Sequence, residues 1–536
     1  VDELHYLKLF TSLLGKVGTE NYTAEELNVL ITRYLSGVSV SAGSIGHDDG
    51  YDPYISVTWQ SLNEDYEGAV RLVNELLYKS DMNDYETVKD AVTSIRASMR
   101  GSFSSGLTAF STQTMRAVAS LDEETAYHNY IGGIEYYQFL INASKTLEDD
   151  PEAFCEKITQ TAEKLMVRDG VNVLYAGDAE GVAVFEDNIE TALSGLVPGT
   201  IEPADYAPET YAHSSEAIII NSPVQFNVLL ASLDEIGMEY NGKVLPLSLL
   251  LSDKYLIPVI RHDIGAYEAA LTFVETSGEG NGAAALISIN DPSVTETFEA
   301  YEGLADYLEG MELTQDEVDS YIVKAYSAQA MPAGELNGAR LAMHDRLSGK
   351  IGEDKLDFLR EIKSLTVEDV KNAGEAFKHA AETGFRSTLG GAQIIGEHSG
   401  LYEVFVDIAA LDPEAALSPL TFGELSSLLA GGQDGAFEIL EAAGAFALFD
   451  DITADSEVSR EQLAALIAGM IPLDEGDVLE ISDIGDISEW ALEPVNLVVG
   501  NEMMALDENG AFYPQEPAYA SDVQTILTRV MEMSGE

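Results

Sequence analysis

At 536 residues the chain is too long for one ordinary domain, and about three are expected. Against 93 acidic residues there are only 28 basic ones, a net charge of −65 that argues against nucleic acid and anionic membranes as partners. That surface suits cationic peptides, or is simply a solvated face shaped by habitat. Hydrophobic content of 46% supports proper cores, and a lone cysteine, Cys155, excludes an intrachain disulfide.

The elements follow in chain order. Leu4, Leu7, Phe10, Leu13 and Leu14 recur at helical spacing directly after Val1, which reads as a cut end, with no signal peptide visible. Thr23-Ala-Glu-Glu26 is a capping box that opens a second helix. Residues 38–45 and 54–59 alternate as strands, joined by the turn-rich Gly46-His-Asp-Asp-Gly50-Tyr-Asp-Pro53. Helical patterns run over 64–79, from 85 past 115, and on to 167, with Cys155 as a buried thiol among Phe154, Ile158 and Leu165. Residues 171–175 are expected to form a short buried strand.

After a Pro-containing stretch over 198–212 the plan repeats. Residues 217–232 read as strand and 243–261 as a mostly apolar helix, too interrupted by Pro246, Asp253, Lys254 and Pro258 to span a membrane. A hairpin over 266–276 and 283–289 turns around Ser277-Gly-Glu-Gly-Asn-Gly282. Asn290 or Asp291 is expected to cap the next helix, with Pro292 in its first turn. Thr314-Gln-Asp-Glu317 and Thr366 open two more. Helix, hairpin, then several helices, twice over, predicts duplicated α+β domains, each an antiparallel sheet with packed helices, over 1–200 and 205–395. Residues 397–536 differ: no Lys, only Arg460 and Arg529 beside many acids, and short Ala- and Leu-rich helical patterns.

A zinc hydrolase of the inverted type needs His-x-x-Glu-His, two imidazoles one helical turn apart with a general base between them. None of the eight histidines, His5, His47, His128, His213, His262, His344, His379 and His398, stands in that spacing, so hydrolysis by that mechanism has no ligands in this chain. Gly278-Glu-Gly-Asn-Gly282 tips a hairpin and is no phosphate loop, and Asp48-Asp49…Asp52 lacks the twelve-residue calcium pattern. The stretch Arg261-His-Asp-Ile-Gly265-Ala-Tyr267 places a fixed cation and a phenol around a Gly-Ala pair at the mouth of a hairpin. It is a candidate for holding a polar ligand, against the alternative that Arg261 merely ends a helix and Tyr267 packs in the sheet.

That stretch resembles the Arg…Gly-Ala-Tyr segment in the last domain of pitrilysin-type metallopeptidases, in the branch containing presequence protease. Leu7-Lys-Leu-Phe10-Thr-Ser-Leu-Leu14-Gly15 with Gly18-Thr19 and Tyr22, and Gly133-Ile-Glu-Tyr136-Tyr137-Gln-Phe139-Leu140, resemble the third domain of the same branch. The resemblance covers residues 1 to about 390 and implies two tandem pitrilysin/LuxS-like domains. It implies the zinc-free second half of a clamshell enzyme, with zinc in a partnering N-terminal half and unfolded peptide between them. Arg261 and Tyr267 would then hydrogen-bond substrate near the scissile carbonyl, with Gly265 letting backbone pass close. Where the family has Gly before and after this motif, Ile264 and Glu268 stand here. Asp451-Ile-Thr-Ala-Asp-Ser-Glu-Val-Ser-Arg-Glu-Gln-Leu and Ile481-Ser-Asp-Ile-Gly-Asp-Ile-Ser-Glu-Trp490 resemble S-layer homology repeats, whose Thr-Arg-Ala-Glu motif helps bind cell-wall polysaccharide. Only Ser459-Arg460-Glu461-Gln462 approaches it; Thr421-Phe-Gly-Glu424 and Tyr519-Ala-Ser-Asp522 lack the Arg. By that resemblance Arg460 and Trp490 are wall-binding candidates, and the setting would be extracellular or the bacterial cell surface. The alternative is a non-enzymatic, surface-located peptide-binding or scaffold protein that keeps the fold.

Overall fold

The computed structural model describes residues 2–47, 49–104, 106–200, 215–220, 222, 224–277, 282–331, 334–350, 352–412, 420–429, 436–449, 452–454, 456–471, 473, 481–501, 503–507, 510–519, 522–523 and 526. Asp48, the linker over 201–212, His213, the hairpin tip over 278–281, Asp451 and Arg529 lie outside them. The chain divides into one unit of Val1–Arg96, Thr112–Ser215 and Asn227–Ser387, and another of Ala97–Ser111, Glu216–Phe226 and Thr388–Glu536.

The first unit opens with α1, Asp2–Leu13, and α2, Ala24–Tyr34, whose Thr23 capping box is present in full. Strands β1, Gly37–His47, and β2, Gly50–Gln60, pair antiparallel from Gly37 with Gln60 to His47 with Gly50. Helices α3 (Tyr66–Lys79), α4 (Tyr85–Ser104), α5 (Gly106–Ala119), α6 (Glu123–Gly132), α7 (Ile134–Asp149), α8 (Pro151–Glu163) and α9 (Ala179–Ala192) follow, the end of α4 and the start of α5 being assigned to the other unit. Leu27, Leu72, Val73 and Leu76 bury the inner faces of α2 and α3, with Val57 and Trp59 of the hairpin against them. Residues 171–175 form no ladder and are not buried as a strand: Val171, Val173 and Leu174 are exposed. Backbone bonds from Arg168 N to Val197 O and Val197 N to Met166 O tie the chain just before them, so the extended stretch beyond is left unpaired.

The strand expected over 217–232 is two, β3 (Glu216–Ile219) and β4 (Gln225–Ser232), separated where the Ser222 hydroxyl bonds both N–H and C=O of Val224. The apolar helix expected over 243–261 is α10, Val244–Leu251, continued by a π-helix, Ser252–Ile264. Its cause is visible in the side chains. After Leu251, α-helical spacing would turn Lys254 and Pro258 inward. The looser i→i+5 winding instead buries Tyr255, Leu256 and Ile260. Pro258 offers no N–H, and the Lys254 carbonyl accepts from Tyr307 Oη at 3.0 Å. Strands β5, Glu268–Glu275, and β6, Gly282–Asp291, make the expected hairpin.

Helices α11 (Thr295–Glu302), α12 (Leu304–Gly310), α13 (Gln315–Gln329), α14 (Glu335–Leu347), α15 (Gly352–Ile362) and α16 (Val367–Thr383) lead to β7, Phe385–Gly390. Thr314 and Thr366 both form complete capping boxes. Neither Asn290 nor Asp291 caps α11. Asp291 is fully buried and accepts from Asn227 Nδ2 (3.1 Å), Thr297 Oγ1 (2.7 Å) and Ser293 N (2.9 Å), so the helix starts later. Within this unit the strands run in the order β5-β6-β4-β7.

In the second unit β3 pairs in parallel with β8, Val404–Asp407. Its helices are α17 (Ala392–Glu397), α18 (Ile408–Leu411), α19 (Phe422–Leu429), α20 (Ala436–Ala442), α21 (Arg460–Met470) and α22 (Leu492–Gly500). Residues 420–526 share a core of their own around Phe422, Leu463, Val498 and Phe512. Three of its buried segments meet in a closed ring of backbone bonds: Leu420 N to Ala518 O (2.7 Å), Ala518 N to Val458 O (2.7 Å), and Val458 N to Leu420 O (2.8 Å). The Ser459 capping box then opens α21.

Candidate functional site

Arg261 sits in the last turn of the π-helix. Gly265 ends that helix in the left-handed region at φ +104°, and its N–H and that of Ala266 both bond to Ile260 O, at 3.0 and 3.1 Å. A side chain at Gly265 would be strained by that φ. The chain then enters β5: Tyr267 N donates to Ile289 O at 3.0 Å, while Ala266 is buried.

This bend puts three side chains on one exposed rim. Tyr267 is 67% exposed, so it does not pack in the sheet. The Arg261 guanidinium lies 5.8 Å from the Tyr267 ring centroid. Its Nη1 is 3.7 Å from Glu268 Oε2, a half-exposed pair of little energetic weight. Arg261, Gly265 and Tyr267 are thus brought together, with Glu268 as a carboxylate beside the cation. The rim offers a forked donor, a directed hydroxyl and one acceptor to a polar backbone.

Two supports were not read from the sequence. Ser248 Oγ donates to Leu271 O (2.6 Å) and Leu271 N donates to Ser252 Oγ (2.9 Å). These serines from α10 and the π-helix occupy the outer edge of β5, which a peptide would need for strand pairing there. Two serines four apart on an otherwise apolar helix were the available signal. At the far end of β5, Ser277 donates from its N (2.8 Å) and its hydroxyl to Asp122 Oδ1, while Asp122 Oδ2 accepts the N–H of Thr125 at 2.8 Å and caps α6. One buried carboxylate thus ties the hairpin to the preceding helices.

Arg460 is turned inward. Its Nε donates to Phe512 O (2.9 Å), Nη1 to Asp522 Oδ1 (2.7 Å) and Nη2 to Ala505 O (3.0 Å), with the Phe512 ring centroid 5.0 Å away. Every nitrogen of the guanidinium therefore serves the module's own structure. Trp490 is 41% exposed and meets Phe449 edge-on at 5.7 Å.

Among the described residues no three His, Cys, Asp or Glu side chains are gathered to hold a metal. Ser44 Oγ donates to Glu124 Oε1 (2.6 Å) and lies 2.7 Å from His128 Nε2. Burial lowers the pKa of His128 despite the nearby carboxylates. Two ligands and a hydroxyl do not fit a catalytic zinc.

Residues 1–142 match the family described as associated with peptidases of family M16, subfamily C, and residues 215–384 match the PreP C-terminal domain. Protein HypA of Clostridium perfringens is 25% identical over 406 residues, covering 75% of this chain and 40% of that protein. Presequence protease 1, chloroplastic/mitochondrial, of Arabidopsis thaliana is 24% identical over 413 residues, covering 75% of this chain and 37% of that protein. The chain therefore spans about two fifths of the length of these curated relatives. A crystal structure of a peptidase M16 inactive domain from Pseudomonas fluorescens aligns with a TM-score of 0.47 and 15% identity, over 72% of this chain and 87% of that one. Across these two matched segments the chain is similar to the C-terminal part of presequence-protease-type M16 peptidases.

Proposed function

We propose that this chain is the non-catalytic, substrate-binding half of a zinc-dependent oligopeptidase of the presequence-protease type. It closes with an N-terminal half that carries the zinc and encloses unfolded peptide. The observation that carries this reading is the rim at residues 261–267, where a guanidinium and an exposed phenol flank a left-handed glycine. Arg261 and Tyr267 orient the peptide through its carbonyls and donate where negative charge develops. Because Ser248 and Ser252 occupy the β5 edge at Leu271, the peptide is held here by side chains rather than as an added strand beside β5. The likeness of residues 451–490 to S-layer homology repeats supports an extracellular or cell-surface setting. The inward Arg460 lends no support to a cell-wall polymer as ligand.

The test is the intact mass and zinc content of the natively purified protein. The expected result is a complex or longer polypeptide with about one zinc, in which Arg261→Ala lowers kcat/KM for an unfolded peptide by about 100-fold while zinc stays bound. The Glu268 carboxylate beside Arg261 favours a second reading, a peptide-binding protein without catalysis. A lone, metal-free chain that binds but does not cleave peptide selects it.

A further inference from the structure

Tyr267 does not enter β5 as a regular strand residue would. Further along β5, Leu271 turns both its N–H and its C=O to the outer edge, where Ser252 and Ser248 meet them. Residues two apart in an antiparallel strand share that direction, so a regular ladder would turn the N–H of Tyr267 outward as well. It points into the hairpin instead, 3.0 Å from Ile289 O and 3.4 Å from Asn290 O. This is the geometry of a β-bulge, which re-aims the side chain that carries it. The cause lies on the facing strand. Glu268 pairs with Ile289, which leaves Asn290 opposite Tyr267. Asn290 has φ +49°, in the left-handed region, and among the described non-glycine residues only Tyr513 also has a positive φ. That region is closed to most side chains but tolerated by asparagine. The residues that follow hold it there. Asp291 is fully buried on its three hydrogen bonds, and Pro292 Cγ lies 3.8 Å from where a Cβ on Gly265 would stand. Left-handed residues thus shape both strands at the rim: Gly265 before Tyr267, and Asn290 across from it.

We infer that Asn290 is a positioning residue of the rim. Its left-handed backbone bends the end of β6 under Tyr267 and turns the phenol outward, to where a peptide carbonyl is held; this role rests on the function proposed above. Asn290 acts through its backbone, and through Tyr267 rather than on the peptide itself. Strain of this kind persists only where the surroundings over-determine it, and the buried Asp291 supplies that constraint.

The experiment has two limbs. In this chain by itself, the setting of Tyr267 is read by tetranitromethane nitration mapped by mass spectrometry. In the native complex with the zinc-bearing half, kcat/KM is measured for an unfolded fluorogenic peptide. The variants are Asn290→Val, Asn290→Gly, Tyr267→Phe, and Tyr267→Phe with Asn290→Val. Near-ultraviolet circular dichroism checks that each is folded; should Asn290→Val fail, Asn290→Ala, which also resists a positive φ, takes its place. We expect Asn290→Val to slow nitration of Tyr267 and to lower kcat/KM about tenfold. Asn290→Gly takes the same φ freely and should recover most of both losses. With Tyr267→Phe already present, the valine should cost little more, because both changes act through one hydroxyl. Additive losses would make Asn290 merely structural, and a glycine variant as poor as valine would make its side-chain amide the contact; either overturns this inference. Unchanged nitration in Asn290→Val overturns it as well and leaves the proposed function standing. A Tyr267→Phe complex as active as the parent overturns the rim and this role together. Because nitration is read on the chain by itself, failure to find a zinc-bearing half overturns the proposed function without altering that limb.

Discussion

Glu75, on α3, is a carboxylate whose side chain is almost wholly buried. Burial alone raises its pKa, but hydrogen bonds from Lys79 Nζ, Asn21 Nδ2 and Thr19 Oγ1, each at 2.8 Å, outweigh that and hold it below the ordinary carboxylate range. A pKa depressed on folding contributes stability above the unfolded value and loses it as pH falls through the folded one. Glu75→Gln should therefore cost about 2 kcal/mol at neutral pH. In denaturant titrations the gap between variant and parent should narrow below about pH 4. The sequence shows Glu75 and Lys79 only as an ordinary i,i+4 surface pair, because the donors from Thr19 and Asn21 come from a distant turn. The segment Arg261–Tyr267 stands out for the opposite reason: its residue types and the glycine between them are local. The sequence leaves open whether Tyr267 reaches a ligand or packs in the sheet, and the exposed ring excludes the packing.

Helix starts carried the clearest signals. Thr23, Thr314, Thr366 and Ser459 each announce a helix through contacts within four residues, and all four boxes form. Asp291 has the same local credentials and does not cap, because the buried amide of Asn227 needs a partner more than the helix does. Asp122 does both jobs, capping α6 and holding Ser277. Asp122→Ala should lower stability by about 2–3 kcal/mol, from the lost cap and the hydroxyl and amide left without their carboxylate. Hydrogen exchange over residues 268–277 should accelerate with it, whereas Asp122→Asn, which keeps an acceptor oxygen, should cost less. Equal exchange in that hairpin for parent and Ala variant would show that the tie to Ser277 does not hold it. An apolar run fixes neither where a strand breaks nor whether a neighbour is there to pair with it, which is why residues 217–232 form two strands and 171–175 none.

At the scale of the whole molecule the charge dominates. With −65 spread along the chain, self-repulsion works against every compact state. Raising NaCl from about 0.05 to about 1 M should raise the melting temperature seen by calorimetry, as screening shortens the reach of that repulsion. A fall in melting temperature would mean that ion pairs, not repulsion, govern the balance. Hairpin and capping signals recur in the same order along the chain, whereas the two stretches end in unlike sheets, one of two strands and one of six. Lysine is absent from the sequence after residue 397, and residues 420–526 gather a core of their own inside a unit that also takes in Ala97–Ser111 and Glu216–Phe226. The backbone ring joining Leu420, Val458 and Ala518 leaves no mark in the sequence, since it needs no particular side chain. That ring also has a kinetic meaning. Its first and last members are roughly 100 residues apart, and closing so long a loop is paid in entropy before any contact returns it. Residues 420–526 should therefore be slow to acquire their native topology, while the locally wound helices within them form early and wait.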